Sequence, residues 1–576
     1  METKNCQNCK KDFEITQDDF SFYERISVPP PTFCPHCRSQ RRMVWRNEYK
    51  LFKKKDAHTG KEIFSQYHSD SPLQIYSNEF WMSDGWDPMD YGRDYDFSKS
   101  FFPQFRDLLY AVPAKARSLS NEINSEYCNN ADDLKNCYLC FNAIMLQDCA
   151  YTIQVARLRN CFDLTCSTSS ENCYDSINIT DSSLVQSSID CAMGLDLFFC
   201  ADCRNCSNCV GCVGLRSKSY CIFNVQYSKE EYQEKFASLN LDSHLGRQAV
   251  KAKMLEIYFA KPHKYMHTMK SVDSSGDYIF GSKNTKQSWV TMKAENVKYA
   301  QDTRYTKDAY DTLVSWKAED AYEGACIGLG SSTIRFVFQS FPGIFDVSYS
   351  AFCSDCSHCF GCVGLRYKEY CIFNKQYTKE EYNALVPKII EQMKTVEYIN
   401  PQGHRYAYGE FFPPEFSPLA YNDTIASDHY PLTEEEIKSG GFITRQGSTR
   451  DYAPTLRSDD IPDKIENVSE SILNQIIECE DKGVCVHDCT KAFRITAEEL
   501  AFYKKMNIPP PHKCPNCRLK ARLVFRGGLH YFTRECMCDK AGHDHTDKCQ
   551  NKFETSYHPD GLEIVYCESC YNKEVY

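Results

Sequence analysis

The sequence predicts a multidomain, β-rich α+β protein: two parallel β-solenoids with capping helices, flanked by zinc-ribbon or treble-clef modules. Three observations predict it. Small and apolar residues recur every twelve positions through the middle of the chain. The stretch Cys203–Tyr232 returns as Cys353–Tyr382, with 22 of 30 positions identical. The two chain ends match each other in a different motif, built on pairs of cysteines.

The N-terminal module, residues 1–56, reads CQNCKKDFEITQDDFSFYERISVPPPTFCPHCRSQRRMVWR from Cys6 to Arg46. Residues 471–530 carry its counterpart, CVHDCTKAFRITAEELAFYKKMNIPPPHKCPNCRLKARLVFR from Cys485. Twenty-four residues separate the two cysteine pairs in both. Two short thiolate loops brought together by one small folding unit suit tetrahedral zinc. The expected ligands are Cys6, Cys9, Cys34 and Cys37 at one end, and Cys485, Cys489, Cys514 and Cys517 at the other. The first loop of the second copy is C-x3-C, which makes His487 an alternate. His36 faces Asn516 in the other copy and is left out.

Arg38, Arg42 and Arg46 lie four apart, with Arg41 beside them, so a helix after the second Cys pair would gather them on one face. Arg518, Arg522 and Arg526 repeat the spacing. In a chain of net charge −11, these are concentrated positive patches. Backbone phosphates of structured RNA or a ribonucleoprotein are one counter-surface. The protein's own acidic segments are the other.

C-x2-C-x3-F, the Phe-Tyr pair, and then P-x-x-C-P-x-C-R resemble the bacterial probable zinc-ribbon domain family at both ends. The resemblance implies bound zinc and no settled activity. The whole arrangement is similar to uncharacterised Cys-rich multi-zinc proteins of candidate-phyla bacteria, which implies an architecture rather than a chemistry.

Residues 57–127 read as a ribbon remnant and an aromatic, acidic connector. KEIFSQYHSDSPLQIYSNEF resembles NKFETSYHPDGLEIVYCESC near the C-terminus, with Ser77 and Phe80 opposite Cys567 and Cys570. The C-terminal ribbon, 531–576, is therefore expected to hold a further zinc on Cys549, Cys567, Cys570 and Cys538, with Cys536 as the alternative. That makes about three zinc ions, all in closed four-ligand sites. WMSDGWDPMDYGRDYDF is read as buried packing or, less simply, a ligand groove.

The solenoids are expected at 128–260 and 261–395. Cys137, Cys149, Cys161, Cys173, Val185, Leu197, Cys209 and Cys221 form one series; Ala143, Val155, Ser167, Ile179, Cys191, Cys203 and Leu215 form another, six residues on. The second solenoid runs Val297, Ala309, Ala321, Thr333 and, after a two-residue insertion, Val347, Cys359 and Cys371. A fixed short period with small residues inside reads as stacked coils of 12 residues, or half-coils of 24. A ladder position shared by Cys, Val, Ala and Leu uses cysteine as a small hydrophobe, not a ligand. The run CRNCSNCVGC is therefore read as core, with metal cluster and disulfide as alternatives. Ser228–Glu231 and Thr378–Glu381 are capping boxes, so a helix follows each solenoid. Residues 396–470 read as a Pro- and Tyr-rich strap.

The start, METKNCQNCK, holds no apolar run, and no stretch is long enough to span a membrane. Cytoplasmic residence is the expectation, with 34 cysteines favouring metal or buried thiols over disulfides. No P-loop, G-x-S-x-G or H-E-x-x-H motif is present. The function expected is zinc-stabilised nucleic-acid binding; a protein-interaction scaffold is the alternative, and an enzyme acting on a solenoid surface the third reading.

Overall fold

The computed structural model describes residues 1–339, 343–445, 452–484 and 489–575. It is β-rich, with helices at the module and array ends. The chain falls into two compact units, each assembled from two separate stretches: Met1–Arg117 with Met266–Gln446, and Ser118–Tyr265 with Gly447–Tyr576. The N-terminal module thus shares a unit with the second repeat array. The C-terminal modules share one with the first. The strap expected over 396–470 is divided between them at 446/447.

Each array is a stack of short parallel strands. In the first, Tyr138 lies beside Ala150, Ala150 beside Phe162, Leu195 beside Ser207, and Ser207 beside Ser219. Every one of these partners is twelve residues on, so the twelve-residue interval is the register of the stack. The second array keeps it, with Gln301 beside Leu313 and Ser357 beside Glu369. It breaks at Ala321, which pairs with Ile334, which pairs with Val347. Two single-residue insertions replace the one of two residues expected from sequence. Ile334, not Thr333, is the buried member of the series, while Thr333 takes φ +57°.

A shorter period sits inside the twelve. Asn136, Leu139, Asn142, Met145 and Asp148 all have φ between 48° and 58°. The residue after each is buried: Cys137, Cys140, Ala143, Leu146 and Cys149. Asn and Asp tolerate this left-handed conformation best, which is why they precede so many of the anchors. They also stack: Asn136 donates through Nδ2 to Asp148 at 2.9 Å, and Asn296 to Asp308 at 2.8 Å.

Several buried positions of the first array hold small side chains carrying a donor. The Cys137 thiol donates to the Lys135 carbonyl at 3.4 Å, Cys149 to Gln147 at 3.2 Å, and Cys161 to Arg159 at 3.3 Å. Ser167 makes the same bond to Thr165 at 2.9 Å and accepts from the Ile179 N–H at 3.1 Å. The thiol and the hydroxyl each satisfy a main-chain group that the tight corner leaves over.

Each array ends alike. A two-residue strand folds back antiparallel on the last rung, Cys221 facing Gln226 and Cys371 facing Gln376. Helices Lys229–Ser238 and Lys379–Thr395 follow, both opened by the expected capping boxes. Their buried Tyr232 and Tyr382 meet Tyr220 and Tyr370 on the last rung edge-on, covering an edge that would otherwise expose unpaired backbone. Among the described residues, no helix is long and apolar enough to cross a membrane.

Candidate metal centres

Among the described residues, three sets of four thiols converge, all at the modules. Cys6, Cys9, Cys34 and Cys37 form the first. Each module folds so that a β-hairpin or loop supplies two sulfurs and a helix N-terminus supplies two more. Cys34 is the N-cap of helix Pro35–Met43, with proline in its first turn, and Cys514 caps Pro515–Leu523 in the same way.

The second set is Cys479, Cys489, Cys514 and Cys517. Cys479 occupies the corner assigned from sequence to Cys485. Both Cys485 and its alternate His487 lie outside the described residues. The sequence favoured Cys485 because it sits nearest in spacing to Cys489. In the structure Cys479, carried at the end of strand Ile477–Glu478, reaches 3.8 Å from Cys517 and accepts from the Cys514 N–H at 3.2 Å. Cys34 N–H donates to Cys6 at the same 3.2 Å in the first module.

The third set is Cys536, Cys549, Cys567 and Cys570. Here Cys536 takes the corner expected for Cys538. It closes the hairpin of Phe532–Glu535 and Lys552–Thr555, and accepts from the Cys567 N–H at 3.2 Å. Cys538, two residues on, belongs to a neighbouring group with His543 and His545.

The donor sets fit zinc on geometry. A tetrahedral site with Zn–S near 2.3 Å has sulfurs about 3.8 Å apart. Cys9–Cys34 is 3.7 Å, Cys514–Cys517 3.5 Å, Cys489–Cys514 4.0 Å and Cys549–Cys567 3.9 Å. N–H donors aimed at sulfur stabilise thiolate over thiol, as ligation requires.

The N-terminal counterpart, residues 52–82, keeps the hairpin and replaces the thiols. Its hairpin, Phe52–Lys55 with Glu62–Ser65, has the same register as the C-terminal one. Asp56 stands where Cys536 does, and accepts from Thr59 Oγ1 at 2.6 Å and the His58 N–H at 3.1 Å. Ser77 caps helix Asn78–Met82, and Phe80, opposite Cys570, stacks on His58 at 3.6 Å. A hydrogen-bonded carboxylate and a ring stack hold together what four thiols hold in the other copy. In the aromatic connector Trp81, Pro88 and Tyr95 are buried; Trp81 Nε1 donates to the Pro113 carbonyl and Trp86 Nε1 to the Trp81 carbonyl.

The arginines that the sequence offered either to a nucleic acid or to the protein's own acids are buried. Arg38, Arg41, Arg42 and Arg46 are 3 % exposed or less; Arg518, Arg522 and Arg526 are 7 % or less. Each of the seven faces the array in its own unit. Arg38 and Arg42 both meet Asp311, at 2.9 and 3.0 Å, and Arg41 bridges Glu323 and Glu410 at 2.7 Å each. Arg46 donates to the Cys326 sulfur at 3.0 Å. In the other unit, Arg518 and Arg522 share Asp163 at 3.1 and 3.0 Å; Arg522 also reaches Asp175 at 3.2 Å, and Arg526 donates to Gln154. Burial disfavours the Arg38 and Arg518 charges, and Asp311 and Asp163 more than restore them.

The two docking faces are copies. Phe22 stacks on Tyr310 at 3.9 Å and Phe502 on Phe162 at 4.1 Å. Tyr23 meets Tyr322 edge-on at 5.4 Å, and Tyr503 meets Tyr174 at 5.7 Å. Arg38 lies over Tyr299, and Arg518 over Tyr151. The array acids that answer these arginines could have been found in the sequence: Asp163 and Asp311 each sit two residues after a buried anchor in equivalent repeats.

Cys203, Cys206, Cys209 and Cys212 are all buried to 1 % exposure or less and belong to none of the four groups. Their three-residue spacing is the left-handed period of the array. An open depression on the first array is lined by Met145, Arg157, Glu171, Asp181, Met193 and Leu195, with the two methionines more than half exposed.

No family model, curated protein or solved structure matches this chain.

Proposed function

We propose that this protein is a zinc-stabilised protein-interaction scaffold, in which each array is a β-solenoid fastened to a zinc module. The twelve-residue register with a buried residue at every third position supports the solenoid reading. Zinc at the three four-thiol groups would be structural, since four thiolates leave no open position for substrate or water. The observation that carries the scaffold reading is the burial of the seven arginines, five of them against Asp163, Asp311 and Glu323. Charge that could have gripped a nucleic acid is spent on holding module to array. The depression with exposed Met145 and Met193 offers a partner apolar contacts that adapt in shape, between charges of both signs.

Electrophoretic mobility shift of the full chain with structured RNA, titrated from low to physiological salt, tests this reading. The scaffold account expects no specific shift and no linear fall of log affinity with log salt. A tight shift whose salt slope corresponds to several phosphate contacts would replace it with the nucleic-acid reading.

A further inference from the structure

The C-terminal ribbon is longer than its N-terminal copy by one insertion, and that insertion carries metal-ligating side chains. Asp56 and Thr59 stand two residues apart in the N-terminal hairpin turn, whereas Cys536 and Cys549 are separated by twelve, including Cys538, His543 and His545. These three and Cys570 bring one donor atom each within 4.8 Å of one another. Cys570 also belongs to the four-thiol group with Cys536, Cys549 and Cys567.

We propose that the C-terminal ribbon binds two zinc ions, joined by the Cys570 thiolate. Seven side chains, with Cys570 counted twice, fill the eight corners of two tetrahedra. A second tetrahedral ion with two sulfurs and two nitrogens has sulfur and nitrogen about 3.5 Å apart along an edge. His543 Nδ1 stands 3.2 Å from the Cys538 sulfur, and His545 Nε2 stands 3.4 Å from the Cys570 sulfur. The Nδ1–H of His545 donates to the Asp547 carbonyl at 2.5 Å, which leaves the lone pair on Nε2, the atom aimed at Cys570. The loop is tethered: Lys540 pairs with Glu574 at 2.5 Å, and Asp544 pairs with Lys573, both on the helix that carries Cys570. Gly542, at φ +91°, and Asp544, at φ +63°, give the loop a left-handed backbone beside the two histidines.

Charge favours the pair as well. One zinc on four thiolates carries two net negative charges and leaves Cys538 beside it. Two zinc ions on five thiolates and two neutral imidazoles carry one.

This inference rests on the reading that the four-thiol groups hold zinc, and the experiment separates the two. Metal content is measured on the full chain and on a His543→Ala/His545→Ala variant, in which all three four-thiol groups are intact. Four zinc per chain falling to three in the variant is the expected result. Three in both overturns the second ion and leaves the four-thiol sites standing; none in either overturns both. Zinc X-ray absorption of the unmodified chain gives an independent arm, needing no variant to fold. A zinc–zinc distance of about 3.5–4 Å is expected, and its absence from a chain carrying its zinc would overturn the bridged pair.

Discussion

At the scale of single residues, Asp163 and Asp311 hold the most consequence. Each is fully buried and accepts from two arginines of the module docked on its array. A buried cluster of this kind contributes little over a well-packed apolar one, but removing one charge strands its partners. Asp311→Asn keeps the shape, leaves Arg38 without its carboxylate and leaves Arg42 only Glu323, at 3.8 Å. It is expected to destabilise the unit holding residues 1–117 and 266–446 by about 3–5 kcal/mol in denaturant melts. Asp163→Asn should destabilise the other unit by less, because Arg518 keeps Glu499 at 3.3 Å and Arg522 keeps Asp175 at 3.2 Å. An effect within experimental error for both would mean that the arginines are solvated and free, and the argument against a nucleic-acid role would fail. These pairings were only half legible in the sequence. The arginine spacing stood out, but the acids that meet it lie hundreds of residues away, in a repeat where Asp also serves the corners.

Among the elements, the two ribbons form a natural comparison. The C-terminal one gathers thiols, and the N-terminal one gathers Asp56, Thr59, Ser77, His58 and Phe80 in their place. Burial pushes the Asp56 carboxyl up, but bonds from the Thr59 hydroxyl and from the N–H groups of His58, Ser77 and Thr59 outweigh it, leaving it below its usual 3.8. A carboxyl depressed in the fold contributes stability that is present above its unfolded value and is lost as pH falls through the folded one. The N-terminal ribbon should therefore resist chelators and open in acid below about pH 4. Asp56→Asn should flatten that acid limb, read by hydrogen exchange of the Phe52–Lys55 and Glu62–Ser65 amides at graded pH. An unchanged acid limb would remove Asp56 as the substitute for the metal. The elements themselves were largely readable: the capping boxes, the helices after CPHC and CPNC, and the twelve-residue interval all follow from local residue chemistry. The three-residue period was hidden, because the left-handed positions include Leu139, Met145 and Tyr151 as well as Asn and Asp. Cys479 was missed because loop closure in space, not nearness in sequence, chooses the fourth thiol.

At the scale of the whole chain, the order is module, array, array, module, but the units pair first module with second array and second module with first array. The repeated stretch quoted from Cys203 and from Cys353 records a copied array rather than a copied metal site. The module repeat records a copied clasp. The same aromatic stack, the same cation over a tyrosine and the same shared aspartate recur in each unit. What the sequence left unread was which clasp closes on which array, since both copies of each carry the same complementary faces. The cysteines among the described residues divide into candidate ligands at the modules and small side chains packed inside the arrays. Elemental analysis of the full chain purified without oxygen, with its visible spectrum, tests that division most directly. Zinc at no fewer than three per chain, one for each four-thiol group, with no iron and no visible absorbance, is the predicted result. Iron with acid-labile sulfide, in a chain whose three four-thiol groups already hold zinc, would place a cluster on the three-spaced array cysteines and contradict it.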